Sequence, residues 1–170
     1  FRLDIVMRCG QLQQKKLLEA VTACRMLKEG TSSADSAEIA EKFDFYGAWL
    51  DYTTYYVYSR LTLYSLVKYQ TETVSLLCSL VSDAVFPDHE FTVVTRSSKA
   101  AALLSAAKSN VKAQRGLMGS LFGPSHVFGK FASIADYDRL DVDDVRNYYK
   151  ENYGSSACEV FLSGDVSDEL

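Results

Sequence analysis

An α+β fold, with an antiparallel sheet of about four to six strands and helices packed on one face, follows from three features of this 170-residue sequence. Strand-like alternation opens and closes the chain. A dense aromatic and β-branched stretch without Gly or Pro lies between its first and second thirds. Segments of helical periodicity fill the intervals. Helices and strands segregated in this way, rather than alternating one by one, favour an antiparallel sheet carrying helices.

The elements follow in order. Residues 2–9 read as a strand, with Leu3, Ile5 and Met7 alternating against polar neighbours. Residues 13–29 place Leu17, Leu18, Val21, Cys24, Met26 and Leu27 on a helical repeat, which Gly30 ends as a left-handed cap. The next helix begins at Asp35, with Glu38 three residues on to complete a capping box. Its Ile39, Phe43 and Tyr46 line one face, and Gly47 stops it. Residues 48–66, containing Trp49, Tyr52, Tyr55, Tyr56, Val57, Tyr58, Leu61, Leu63 and Tyr64, predict two strands.

Helical spacing returns over 70–85 through Val74, Leu77, Cys78, Val81 and Val85. Pro87 suits the first turn of a following helix, and the Ala- and Lys-rich stretch 88–115 predicts one long helix. Gly116, Gly119, Gly123, Pro124 and Gly129 mark a connection, with room for a short helix at 116–122. The last helix, 142–153, is capped by Asp141, carries Asp143 and Asp144 in its first turn and Lys150 in its last. Cys158, Val160 and Leu162 alternate as a closing strand.

Composition excludes several classes. A hydrophobic fraction of 48% in 170 residues supports a single domain, residues 1–170, with a full core. A net charge of -4, with no Lys/Arg cluster among aromatics, gives no footing for nucleic acid. No apolar run is long enough for a transmembrane segment. The chain opens on Phe1 inside a strand-like run and reads as an excised segment of a longer protein. Cys9, Cys24, Cys78 and Cys158 form no Cys-x-x-Cys pair and are expected as free thiols.

A set of short segments, in order, carries a family resemblance. The helix around 17–31 ends in Glu29-Gly30-Thr31; Ser36-Ala37-Glu38-Ile39-Ala40-Glu41 and Phe45-Tyr46-Gly47-Ala48 follow, then the Tyr/Thr-rich strands. Phe86-Pro87-Asp88-His89-Glu90 opens the long helix, Leu140 to Tyr153 forms the helix before the last strand, and Gly164-Asp165-Val166 closes it. This series resembles the N-terminal domain of the M16 metallopeptidases, the family of insulinase, pitrilysin and the mitochondrial processing peptidase. The resemblance implies the M16 peptidase-like (LuxS/MPP-like) fold. Active members carry an inverted zinc motif, His-x-x-Glu-His, on the first helix. The matching window here is Val21-Thr22-Ala23-Cys24-Arg25, with Val21 and Arg25 at the ligand positions and Cys24 at the base. The family's third ligand, a Glu on the later long helix, falls in the register of Ala100-Ala101-Ala102.

Val has no donor atom, and Arg25 is a permanent cation. Neither Cys24 nor Ala102 completes a three-ligand site with an open position. No catalytic residue, metal ligand or cofactor is therefore expected; Val21, Cys24, Arg25 and Ala102 mark where ligands and base are lost. His89 and His126 stand apart and are expected as solvated or loop-anchoring residues. Gly116-Leu117-Met118-Gly119-Ser120 lacks the flanking glycine of a nucleophile elbow, and Gly129-Lys130-Phe131 is no phosphate loop.

Tyr52, Tyr55, Tyr56 and Tyr58 cannot all face one core, because neighbours on a strand point to opposite sides. Outward rings favour a binding surface for extended peptide, or for an adjoining domain. The resemblance implies a non-catalytic subunit that closes a peptide chamber with an active M16 subunit or other M16-like domains. Two alternatives stay open: part of an active metalloendopeptidase whose motif lies elsewhere in a longer chain, and a structural assembly protein. Bacterial periplasm or cell envelope is the location expected by family analogy.

Overall fold

A computed structural model describes residues 1–154 and 158–165. Val166, the last residue of the segment matched at the end of the chain, lies outside the described residues.

Strand β1 (Arg2–Met7) holds the centre of a four-stranded sheet. It pairs antiparallel with β5 (Ser59–Tyr64) on one side and β6 (Cys158–Ser163) on the other, and β4 (Trp49–Thr54) joins β5 to give the order β4-β5-β1-β6. Leu3 stands opposite Leu63, Ile5 opposite Leu61 and Met7 opposite Ser59, so the alternation read in the sequence becomes one buried face. That face carries the helices. Ala20, Ala23, Cys24 and Met26 come from α1 (Glu19–Met26), Ile39 and Phe43 from α2 (Ser36–Phe45), and Leu77 and Leu80 from α3 (Gln70–Ser82). Val145 and Tyr148 of α7 (Val142–Asn152) complete the core.

The opposite face is polar and aromatic. Arg2, Asp4, Arg60 and Tyr64 lie there, with the Trp49 and Tyr64 rings 5.2 Å apart. Burial alone would raise the pKa of Asp4. Hydrogen bonds from the Thr62 hydroxyl (2.5 Å) and the Arg2 guanidinium (3.0 Å) instead hold its carboxyl below the usual range.

Caps set two helices as expected. The Asp35 side chain accepts from the Glu38 N–H and the Glu38 carboxylate accepts from the Asp35 N–H, and Asp141 and Asp144 repeat the device on α7. Gly47 follows α2 at φ 58°, a conformation that costs a residue with a Cβ.

Five expectations are corrected. The first helix does not begin at residue 13. Gly10 to Leu18 form an irregular arch, in which the Glu19 carboxylate accepts from Lys15 N–H (2.7 Å) while Lys16 and Lys15 pair with Asp144 (2.7 Å) and Glu151 (2.6 Å) of α7. These tertiary contacts outweigh the apolar repeat, and Leu18 sits at φ 79° to make the turn. Gly30 is not a helix cap, because α1 ends at Met26. Gly30 opens the two-residue strand β2 (Gly30–Thr31), which pairs with β3 (Ala34–Asp35), and its carbonyl accepts from Val85 N–H at 3.0 Å.

The long helix is broken. α4 (Asp88–Ala106) and α5 (Ser109–Phe122) are separated at Lys108, which is extended at φ -71°, ψ 132°. Ser105, Ser109 and Asn110 cluster there, and such side chains compete with the helical backbone for its hydrogen bonds. The expected short helix at 116–122 is the end of α5, so the glycine-marked connection begins only at Gly123. In α3, Thr73, Leu77 and Leu80 face the core, while Cys78 is exposed and Val85 lies beyond the helix. A short helix, α6 (Ile134–Arg139), precedes α7.

Substituting Leu63→Ala should cost about 2–5 kcal/mol, whereas Leu104→Ala, 74% exposed on α4, should change stability by at most about 0.5 kcal/mol; urea melts distinguish them. Asp4 should contribute stability above its unfolded pKa of about 3.9 and lose it as pH falls through its lower native value. Asp4→Asn should accordingly flatten the decline in stability measured below about pH 4.

Candidate functional site

α1 lies between the sheet and α4. Its inward side carries Cys24, only 1% exposed, against Thr54 and Ser59 of β4 and β5. Burial pushes the Cys24 thiol above its ordinary pKa, opposed by nearby hydroxyls and by Arg25. Val21 and Arg25, one turn apart, are half-buried on the other side, and Lys28 follows in the next turn. Arg25 Nη1 donates to Ser98 Oγ of α4 at 2.6 Å. Ala102, one turn beyond Ser98 on α4, is half-buried. The two helices thus bring the Val21–Arg25 window to the α4 register around Ala102.

Thr95 stands one turn before Ser98, and its Oγ1 is buried without a hydrogen-bond partner in the described residues. The junction therefore offers a guanidinium, hydroxyls, a valine and an alanine methyl. This donor set does not fit zinc: it supplies no imidazole or carboxylate, and the fixed cation of Arg25 repels a second cation. Among the described residues no group of three or more His, Cys, Asp or Glu could hold a metal ion.

The two histidines are far apart in role. His89 is exposed in the first turn of α4. His126 Nδ1 accepts from Phe128 N–H at 3.2 Å and its ring stacks 5.2 Å from Phe122, which anchors the loop after α5.

The four tyrosines divide between locations. Tyr52 lies opposite Leu61, on the helix-facing side of β4, with Lys28 Nζ 5.8 Å from its ring centre. Tyr55 and Tyr58 stack at 4.6 Å in the β4–β5 turn, with Arg60 6.0 Å above Tyr55. Tyr56 meets Phe128 edge-on at 4.5 Å, joining that turn to the loop after α5. The rings therefore do not make one continuous surface.

The resemblance implies a sheet edge that pairs with extended peptide, but the sequence does not say which strand is outermost. Strand β4 is last in the sheet order, and Tyr55 N–H donates to Tyr58 C=O at 2.8 Å in the turn. Antiparallel ladders alternate bonded and non-bonded pairs. The N–H and C=O groups of Leu50, Tyr52 and Thr54 are accordingly directed to the outer edge, where no described strand pairs with them. A cleft of about 240 Å³ opens beside the start of this edge, between Ile39 and Phe43 of α2 and Ala48, Trp49 and Leu50. Glu29 lines it as well; burial raises its pKa, which Lys28 (3.6 Å) opposes and Glu90 reinforces. No sequence signal marks an unpaired edge. Strand order alone reveals it.

No family model and no curated protein matches this sequence. Solved structures do. The fold matches the peptidase M16 inactive domain from Pseudomonas fluorescens at a TM-score of 0.84 with 20% identity, over 94% of this chain and 40% of that one. It also matches the first half of the periplasmic protease PqqL from Escherichia coli at a TM-score of 0.86 with 13% identity, over 99% of this chain and 38% of that one. The chain thus has an M16 peptidase-like fold, as its sequence segments implied, and spans about two fifths of the length of these neighbours.

The buried thiols give a direct check on the placement of α1. Cys78, exposed on α3, should react with a thiol reagent in the native state near pH 8. Cys24 and Cys9, the latter pushed up to about 11 by burial, should be labelled only on unfolding, as mass spectrometry of protease digests would read.

Proposed function

We propose that this chain is a non-catalytic M16-type domain that binds extended peptide along the outer edge of β4 and works as the partner of an active zinc peptidase subunit. The observation that carries this reading is the α1–α4 junction. Within an M16 peptidase-like fold, the helix that bears the zinc motif in active members holds Val21, Cys24 and Arg25, and Arg25 is bonded to Ser98 across the junction. Neither a metal-bound water nor a general base has residues to support it there.

Strand addition suits β4 because its outward N–H and C=O groups need partners, and an extended peptide supplies them in register. Tyr52 and the cleft at Leu50 lie beside that edge to receive side chains. The partner role rests on the apolar residues left exposed on α4 and α5, among them Leu103, Leu104, Leu117 and Leu121. Another M16-like domain is the occupant we assign to that face. One structural neighbour is described as half of a periplasmic protease. The same compartment is proposed for this chain, and no described helix is long and apolar enough to cross a membrane.

The test joins metal analysis to peptide assays. Protein purified with excess zinc should retain well under one equivalent after desalting, bind labelled extended peptides, and leave them uncleaved through long incubation. One equivalent of zinc together with peptide cleavage would overturn the reading.

A further inference from the structure

Arg25 is a half-buried guanidinium that donates to a neutral hydroxyl, Ser98 Oγ. No carboxylate pairs with it among the described residues, in a protein of net charge -4. A cation in that position has several donors left over and a strong preference for an anion. Lys28 lies one turn further along the same side, beside the same edge strand. Its contact with Glu29 is loose, at 3.6 Å, and it remains exposed.

The positions of these two cations along β4 can be read from their neighbours. Cys24, adjacent to Arg25, lies against Thr54, while Lys28 lies over Tyr52. α1 therefore runs antiparallel to β4, and Arg25 and Lys28, three helical residues apart on one side, follow the edge in that direction. Three helical residues, Arg25 to Lys28, advance about 4.5 Å, and two strand residues about 6.7 Å, a difference of about 2 Å that the long Arg and Lys side chains span. A second strand laid on the β4 edge would turn every other side chain to the helix-facing side at the strand interval.

We propose that Arg25 and Lys28 select an extended segment carrying acidic side chains at two alternate positions, Asp or Glu at i and i+2, when that segment pairs with β4. The inference rests on the edge-pairing reading given above and adds the class of peptide it takes. A fixed guanidinium fork holds a side-chain carboxylate through paired charge-assisted hydrogen bonds. Lys28 adds a second, more solvated contact to the next acidic group. Glu29 and Glu90 act against this at the Lys28 end, so the position facing Arg25 carries most of the preference.

Fluorescence anisotropy with end-blocked, labelled peptides tests this. Three peptides of one sequence differ only in having Glu-x-Glu, Gln-x-Gln or Lys-x-Lys at alternate positions, and each is also made with alternate backbone amides N-methylated. The Glu peptide should bind about tenfold or more tightly than the Gln peptide at low salt, the Lys peptide weakest, and the margin should shrink as salt rises. The double variant Arg25→Gln/Lys28→Gln should erase the margin while leaving the Gln peptide's affinity unchanged. Equal binding of Glu and Gln peptides to the unaltered protein, with N-methylation still abolishing it, would overturn acid selection alone. Undiminished binding of the N-methylated peptides, or no binding of any peptide, would overturn edge pairing and this inference with it. A Glu preference that persists in the double variant would place the acid contact elsewhere and likewise overturn the proposal.

Discussion

The central strand is the constraint on which the remaining structure depends. β1 is paired on both sides, with β5 some sixty residues later and with β6 near the opposite end of the described chain. Neither partner is local, so closing the sheet joins segments from nearly the whole described chain. The alternation of Leu3, Ile5 and Met7 fixes which face that is, because a one-residue slip against β5 would carry all three to the polar side. Arg2 and Asp4, together with Thr62, occupy that other side and oppose the slip from the opposite direction.

α1 transmits this constraint to the candidate site. It is short, because Gly10 to Leu18 are drawn away by contacts with α7: the Lys15 and Lys16 ion pairs and the hydrogen bond from the Tyr148 hydroxyl to Gly10 C=O at 2.8 Å. What remains helical is packed on three sides, by the sheet, by α4 and by α7. Cys24 is locked inward by that packing, and Arg25, the next residue, must then turn toward α4. The bond to Ser98 is a consequence of this geometry.

The side of α1 next to the sheet edge presents Arg25 and Lys28, cations that favour an anion. The pairing capacity of the β4 edge is independent of them, since backbone hydrogen bonding does not depend on side-chain identity. The proposed peptide pairing is thus physically separable from the chemistry of the α1 side chains, and the proposed role depends on that separation.

Much of the fold was legible along the sequence. The strands at 2–9 and 158–162, the pair within 48–66, and the helices capped by Asp35 and Asp141 rest on short-range periodicity and local hydrogen bonds, which a few neighbouring residues determine by themselves. That Val21, Arg25 and Ala102 bear no imidazole or carboxylate is likewise a matter of residue identity and needs no tertiary knowledge. The boundaries of α1, the break at Lys108 and the role of Gly30 were not. Each is decided where long-range contacts compete with local preference, as when α7 pulls Lys15 and Lys16 out of a helical repeat. The outer position of β4, the division of the four tyrosines and the lack of a carboxylate at Arg25 among the described residues likewise came only from the tertiary structure. Which strand lies outermost, and which cation lacks a carboxylate, depend on residues brought together from distant parts of the chain.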